Sequence, residues 1–491
     1  MRTYENDFGV TALSLQVGEN DAERRLVWFH KKGKGEPRVR MATLSDYERD
    51  GGFTEQNARV IFANTKEPAV NRDFLSCKAR LTGLSLGESY IYNVGDDTGY
   101  DINVYRFSIP KRPKEKLNFG IVSDVHFNVY QRKEIDTRYL EAFRSFSDTV
   151  KRLENYEDER LGFIMSIGDN CSVYQMSSRW FADPRLCYPE GIALLAEREN
   201  EEFLTSDVMK ETALCTVLGN HDAQGLSEPS PYASVTAFHY DPPNDDGKSG
   251  HFFDNSIGNS YFVSGEVLFI GLNAFVIPYG NYCGSVEVHR EFIKRAIDAH
   301  PEARWRVLFN HVPAYAYVGS ANLNDKGNPT EPSRMREIFA EILHGIDLDV
   351  IFTGHQHAFS RSFHIKDGAV VDREKIKSER DENGYLTESV KNPCGTMHYN
   401  VPAPTAFSFF SDVSKDCHDV YANYGICDYQ FDELKASGYA PTNDFRGFTY
   451  KEPLSIHVSV ENDGVERQMT IKCIGTNDGI ARDTYTIIKT I

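Results

Sequence analysis

Five short segments carry oxygen and imidazole donors in a fixed order: Asp124-Val125-His126, Gly168-Asp169-Asn170, Gly219-Asn220-His221-Asp222, Asn310-His311-Val312-Pro313 and Gly354-His355-Gln356-His357. Each stands just after a short apolar run. Singly they mean little, because an Asp-x-His triplet arises by chance and a lone histidine beside an apolar strand is more often a core or surface side chain than a ligand. Together they put carboxylate, carboxamide and imidazole groups where one sheet edge would converge them, which predicts a metal site. Gly168, Gly219 and Gly354 read as supports, since glycine tolerates positive φ and close backbone approach in sharp strand-to-loop turns. The sequence has no G-x-x-x-x-G-K-[ST] loop and no G-x-S-x-G elbow, so the usual P-loop and serine-hydrolase readings fall away.

The elements that must hold these segments follow from the hydrophobic pattern. Residues 117–122, 162–167, 214–218, 267–272, 306–309 and 350–352 are short apolar runs ending in polar residues, with helix-like material between several of them, notably around 139–153. Strands alternating with helices imply an α/β core whose ligands collect at the carboxyl ends of the strands. Residues 1–112 differ: 26–30, 59–62 and 90–94 read as strands between turn signals, and Leu84-Ser85-Leu86-Gly87-Glu88-Ser89-Tyr90 resembles the tyrosine corner of fibronectin type III sandwiches. A small all-β sandwich is expected there. The charged, proline-containing linker at 111–116 marks the boundary to a second domain at 113–491. Residues 455–460, 469–474 and 485–488 look like antiparallel strands that complete the second domain's sheet. The polar stretches 366–391 and 411–450 have no place in this pattern.

Composition narrows the function. The 491 residues are enough for several domains. With 72 acidic against 54 basic residues the net charge is -18, which repels long nucleic acids and anionic membranes yet leaves a metal-lined pocket free to take a small anion. No apolar stretch approaches the roughly 20 residues needed to span a bilayer. No apolar signal segment follows Met1, so the expected location is cytoplasmic for a complete chain and extracytoplasmic if a leader has been removed. Nine scattered cysteines without a C-x-x-C pair argue against a zinc ribbon or a complete disulfide framework, leaving mostly buried thiols and room for one disulfide in an exported form.

The order D-x-H, G-D, G-N-H-D, H and G-H-x-H over residues 117–361 resembles the calcineurin-like metallophosphoesterases, and Gly354-His355-Gln356-His357-Ala358-Phe359-Ser360-Arg361 is close to the purple acid phosphatase phrase G-H-x-H-A-x-x-R. The resemblance implies a four-layer αββα sandwich and a dinuclear-metal enzyme that hydrolyses phosphate mono- or diesters with a metal-bound hydroxide. One cation would take Asp124, His126 and His357, Asp169 would bridge, and the second cation would add Asn220, His311 and His355. Such donors suit two divalent or trivalent ions of zinc, iron or manganese. Paired cations about 3.5–4 Å apart offset phosphoryl charge and lower the pKa of bound water from 15.7 towards about 7. His221 would face the small phosphate-ester substrate, donating to a phosphate oxygen or protonating the leaving group. Asp222 would either orient His221 or cap the following helical turn.

The pattern departs from the purple enzymes at two places. Ser172 stands where they carry a metal-binding tyrosine three residues after the bridging aspartate, and His126 fills their D-x-G motif, so the coloured phenolate ligand is expected to be missing; Tyr174 is offset and reads as a pocket wall. His30, His239, His251, His289, His300, His344, His364, His398, His418 and His457 read as surface or structural, with His239 and His251 alone near enough to the G-N-H-D loop to suggest substrate contact. Tyr279, Tyr282, Tyr315 and Tyr317 read as packing around the mouth. A noncatalytic binding or adhesion module that kept the fold is the competing function; lost ligands would favour it, and none is lost. Oligomeric state is not encoded in these motifs.

Overall fold

The computed structural model describes residues 9–68, 70–126, 137–157, 160–171, 189–222, 231–251, 256–274, 285–315, 331–357, 359–405 and 453–491. Ser172, Tyr174, Tyr279, Tyr282, Tyr317, His418 and the stretch 411–450 lie outside them.

Short strands rich in Val, Ile, Leu and Phe bury both faces, and such strands belong in the middle of a covered parallel sheet. Lys116–Val122, Phe163–Ser166 and Ala213–Thr216 run parallel within a 12-stranded sheet, and Val267–Leu272, Trp305–Asn310 and Val350–Thr353 run parallel within a 7-stranded sheet. Side chains alternate along each strand. One set, including Phe119, Ile121, Phe163 and Met165, meets Phe269, Trp305, Val307 and Phe309 of the other sheet in a common core. Phe269 stands edge-on to Phe119 and Phe163, with ring centroids 5.1 and 5.0 Å away, a geometry that aligns ring edges with ring faces. The opposite set, including Ile164, Leu214, Leu268 and Ile351, packs with apolar residues such as Phe146, Val150, Phe292 and Phe339. Those residues come from helices Thr137–Glu154, Val286–Ala299 and Glu331–Ile342. The layers are therefore helix, sheet, sheet and helix, the αββα sandwich expected.

The carboxyl-terminal strands complete the larger sheet. Leu454–Asn462 pairs antiparallel with Lys116–Val122, followed in order by Glu466–Gly475 and Ala481–Thr490. Part of 366–391, unplaced by pattern, is the hairpin Lys377–Arg380 and Leu386–Lys391, and its second strand joins Ala481–Thr490 in parallel. Its strands are mostly solvated and polar, which is why no apolar alternation announced them.

The amino-terminal region is all-β apart from the short helix Leu44–Asp50. Arg38–Thr43, Arg59–Phe62, Ser89–Asp96, Gly99–Tyr100 and Tyr105–Ser108 make a 5-stranded sheet. Val10–Val17, Glu23–Lys31, Phe74–Thr82 and Asn64–Lys66 lie at one end of the 12-stranded sheet. Trp28, Val39, Cys77, Tyr92 and Phe107 are buried together between the two. The Tyr90 hydroxyl accepts the backbone N–H of Ser85 at 2.8 Å, the backward bond that the tyrosine-corner reading expects. The linker 111–116 is not a gap in the sheet, because Val10–Val17 pairs in parallel with Ala213–Thr216 at Gln16 and Leu214.

No helix among the described residues is long and apolar enough to cross a membrane. Cys77, Cys171, Cys215 and Cys473 are buried thiols outside any disulfide, and Cys394 is an exposed one.

Candidate metal centre

The parallel strands of both sheets end at the same side, and the five donor segments leave from those ends. Lys116–Val122 leads to Asp124 and His126, Phe163–Ser166 to Asp169, and Ala213–Thr216 to Asn220 and His221. From the other sheet, Trp305–Asn310 leads directly to His311 and Val350–Thr353 to His355 and His357. Asp124, His126, Asp169, His355 and His357 all hold positive φ, between 44° and 70°. Non-glycine residues rarely adopt this region, and runs of such outliers concentrate where a site dictates the backbone.

The glycines make room for the same turns. Gly168 has φ +79, and a Cβ there would lie 2.4 Å from the Gly219 nitrogen. At Gly219 a Cβ would meet Asp169 Oδ1 at 2.0 Å, and at Gly354 it would meet Ser123 Oγ at 2.0 Å and Asp124 Oδ2 at 2.8 Å. Close approach, and not positive φ, is the reason for the last two.

Three overlapping groups of donor atoms result: Asp124, His126 and His357; His126, Asp169 and His221; and Asp169, His311 and His355, each within 4.8 Å of one another. Asp169 Oδ2 stands 3.4 Å from His126 Nε2 on one side and 3.1 Å from His311 Nε2 on the other. His357 Nε2 is 3.3 Å from Asp124 Oδ1. Asn220 Oδ1 lies 3.1 Å from His311 Nε2 and 2.8 Å from His355 Nδ1. His311 Nδ1 donates to the Ile167 carbonyl at 2.6 Å, which turns Nε2 towards Asp169 and Asn220. Fixing the outer nitrogen in this way is how metal-ligating imidazoles are oriented.

The electrostatics test whether cations fit. Asp124 and Asp169 are buried, which by itself would raise their pKa values. Neighbouring imidazoles outweigh that effect, His357 holding Asp124 at about 2, and His311 and His221 holding Asp169 well below the usual range. Burial would lower His311, yet Asp169 and Asp124 push it up to about 10. Two buried carboxylates thus demand positive charge beside them, and an isolated buried charge is costly. Burial lowers His357 to about 4, so that ring carries the charge that holds Asp124 down only in acid and is neutral at pH 7, and its Nδ1 has no hydrogen-bond partner among the described residues. Ionised carboxylates, neutral imidazole and a carboxamide oxygen at these separations are the donor chemistry of a transition-metal pair.

His221 is half-buried, its ring 4.6 Å from that of His126 and its N–H donating to Asp169 Oδ1 at 2.8 Å. Asp222 faces the backbone. Its Oδ2 accepts from the N–H groups of Asp169 at 2.6 Å and Gly219 at 2.8 Å, and its Oδ1 accepts from the Cys171 N–H at 3.1 Å and thiol at 3.3 Å. These bonds stand where a partnership with His221 was one expectation. Burial and the Asp169 charge raise Asp222 to about 6.

His239 and His251 have local partners: His239 is fully buried with Nδ1 3.1 Å from the Val235 carbonyl, and His251 Nε2 lies 2.7 Å from Asp245 Oδ1. Tyr315 packs its ring 4.6 Å from that of His398. Asn273, which carries no ligand motif, also supports the site: Oδ1 accepts the Leu218 N–H at 2.9 Å, while Nδ2 donates to the Ile257 and Gly258 carbonyls. Its only sequence signal is a polar residue at the end of an apolar strand.

Residues 117–359 match the sequence profile of the calcineurin-like phosphoesterases. No curated protein matches the chain. Among solved structures, a purple acid phosphatase isolated from yellow lupin (Lupinus luteus) seeds superposes with a TM-score of 0.65 at 14% identity, over 98% of this chain and 74% of that one. PhoD superposes with a TM-score of 0.56 at 12% identity, over 99% and 91%. At such identities the two likenesses are of fold, while the profile match spans all five donor segments. The chain therefore carries a calcineurin-like phosphoesterase domain and is a metal-dependent phosphoester hydrolase.

Proposed function

We propose that the chain hydrolyses small phosphate mono- or diesters at a pair of zinc, iron or manganese ions. Asp124, His126 and His357 hold one ion, Asn220, His311 and His355 the other, and Asp169 bridges. The observation that carries this reading is the position of Asp169 Oδ2, within 3.4 Å of an imidazole from each donor set. When bound, the two ions supply positive charge for the phosphoryl oxygens and hydroxide at neutral pH.

The chain's own residues do the rest. Asp124 and Asp169 stay ionised despite burial and so keep the site negative enough to retain both ions. His221, half-buried beside His126, donates to a phosphate oxygen or moves a proton to the leaving group, with the Asp169 carboxylate accepting its backbone N–H. Asp222 is a positioning residue, holding the Asp169 and Gly219 turns at one spacing. The amino-terminal sandwich, residues 1–112, acts as a unit packed beside the phosphoesterase domain, with the Tyr92 hydroxyl donating to the Lys210 carbonyl at 2.6 Å.

The test is hydrolysis of nitrophenyl phosphate and bis(nitrophenyl) phosphate by purified, metal-analysed protein. Turnover of at least one, lost in His221→Ala with metal content unchanged, is expected. Two bound metals with no turnover of either ester would overturn the reading in favour of a binding module.

A further inference from the structure

A cavity of about 650 Å³ lies at the other end of the strand that leads to Asp124. Its walls come from the amino-terminal sheet, the linker, the core sheet and the hairpin at 461–463, so it occupies a seam between regions, where ligand pockets commonly form. Asn118 lies in its wall, about 20 Å from Asp124 at some 3.3 Å per residue along the strand. Asn118 is 3% exposed, and among the described residues neither its Oδ1 nor its Nδ2 has a hydrogen-bond partner. A buried carboxamide left unmatched at both ends costs stability, and such a group calls for a partner.

The charges around it set the partner's chemistry. The lining carries Arg106, Lys111, Arg112, Lys116 and Arg160 against Glu115, Glu461 and Asp463, an excess of cations in a chain of net charge -18. Arg112 pairs with Glu115 at 2.8 Å and Lys116 with Glu461 at 3.6 Å. The Asp463 carboxylate accepts the N–H groups of Val465 and Glu466. Arg106 and Lys111 make no ion pair among the described residues. Ile109, Pro110 and Leu161 add apolar wall, and the volume exceeds what a bare oxyanion fills.

We propose that this seam binds a small organic oxyanion, a phosphate or carboxylate on an apolar body, with Arg106 and Lys111 taking the charge and the sealed Asn118 carboxamide turning to a polar group at the floor. The site is separate from the metal centre and stands whether or not the chain hydrolyses esters. Guanidinium groups favour both kinds of oxyanion, so the experiment has two arms.

The test is calorimetric titration of the metal-loaded protein with phenylphosphonate, a non-hydrolysable dianion with an aromatic body, and in parallel with benzoate. The expected result is a binding event in one or both arms that weakens at least tenfold in the double variant Arg106→Glu, Lys111→Glu, while nitrophenyl phosphate turnover and metal content stay as in the parent. Phosphonate binding alone assigns a phosphate ligand, and benzoate binding alone a carboxylate. Asn118→Leu, if folded by circular dichroism, should weaken the same event. No event beyond one at the metal centre, or an event of equal affinity in the double variant, would overturn the proposal. So would folded Asn118→Leu binding like the parent.

Discussion

The guanidinium of Arg361 grips the carboxylate of Asp483 through two bonds of 3.0 Å, linking the smaller sheet to the larger. An ion-pair contact of 2.9 Å between Nη1 and Glu388 Oε2, without hydrogen-bond geometry, and the ring of Tyr485 at 4.4 Å add to its surroundings, and Arg361 is fully buried. Removing one partner of a buried ion pair leaves the other charge uncompensated, at about 3–5 kcal/mol. Arg361→Ala should lower the unfolding free energy by that amount in urea titrations. A loss below about 1 kcal/mol would show that the contact contributes little.

Gly354→Ala puts a methyl group into Ser123 and against Asp124 Oδ2, and Gly219→Ala puts one onto Asp169 Oδ1. In both cases a carboxylate of the proposed metal centre must move. Elemental analysis should find at least one metal equivalent lost from each variant, with turnover down by about 10-fold or more. Full metal content in Gly219→Ala would contradict the placement of Asp169.

Asp222 offers a way to separate positioning from chemistry. Asp222→Asn replaces an oxygen that accepts buried N–H groups by a donor, so it should cost on the order of 1–3 kcal/mol of stability and weaken metal binding. If the carboxylate instead served His221, the variant would keep its stability and shift only the pH profile of turnover.

Buried histidines set the acid limb of stability. Burial lowers His364 and His239 to about 4 and His398 to about 3, against an ordinary value of about 6.5. The unfolded chain therefore binds more protons below pH 6.5, so their contribution is complete above that pH and is lost as pH falls towards 4. Glu197 acts in the opposite sense: burial, then the Glu201 charge, raises it to about 8, so its contribution is complete below about pH 4.5 and is lost as pH rises to 8. Urea midpoints measured from pH 4 to 8 should pass through a maximum. His398→Phe should flatten the acid limb by on the order of 3 kcal/mol at pH 4, and Glu197→Gln the alkaline limb. Parallel curves for parent and His398→Phe would refute the assignment.

Much of the centre is legible in sequence because its donors sit directly after apolar strands, where chain order alone fixes which end of the sheet they occupy. The tyrosine corner is legible for a similar reason, its bond spanning only five residues from Tyr90 to Ser85. What escapes is non-local. Asp222 reads equally well as a partner for His221 or as a cap, and only the fold brings the Asp169 and Cys171 N–H groups to it. Asn273 looks like any strand-end asparagine until Leu218 arrives beside it. The hairpin at 377–391 is mostly polar and solvated, so burial never patterned its sequence.

The pairing of Gln16 with Leu214 bears on how the chain can be dissected. Cutting at the linker would strip Val10–Val17 from Ala213–Thr216 and bare a row of unsatisfied backbone groups beside the loop that carries Asn220. An uncovered edge of that kind recruits other chains. A fragment beginning at residue 113 would thus tend to self-associate, and the same amino-terminal strands that look like a detachable module act as a guard against aggregation.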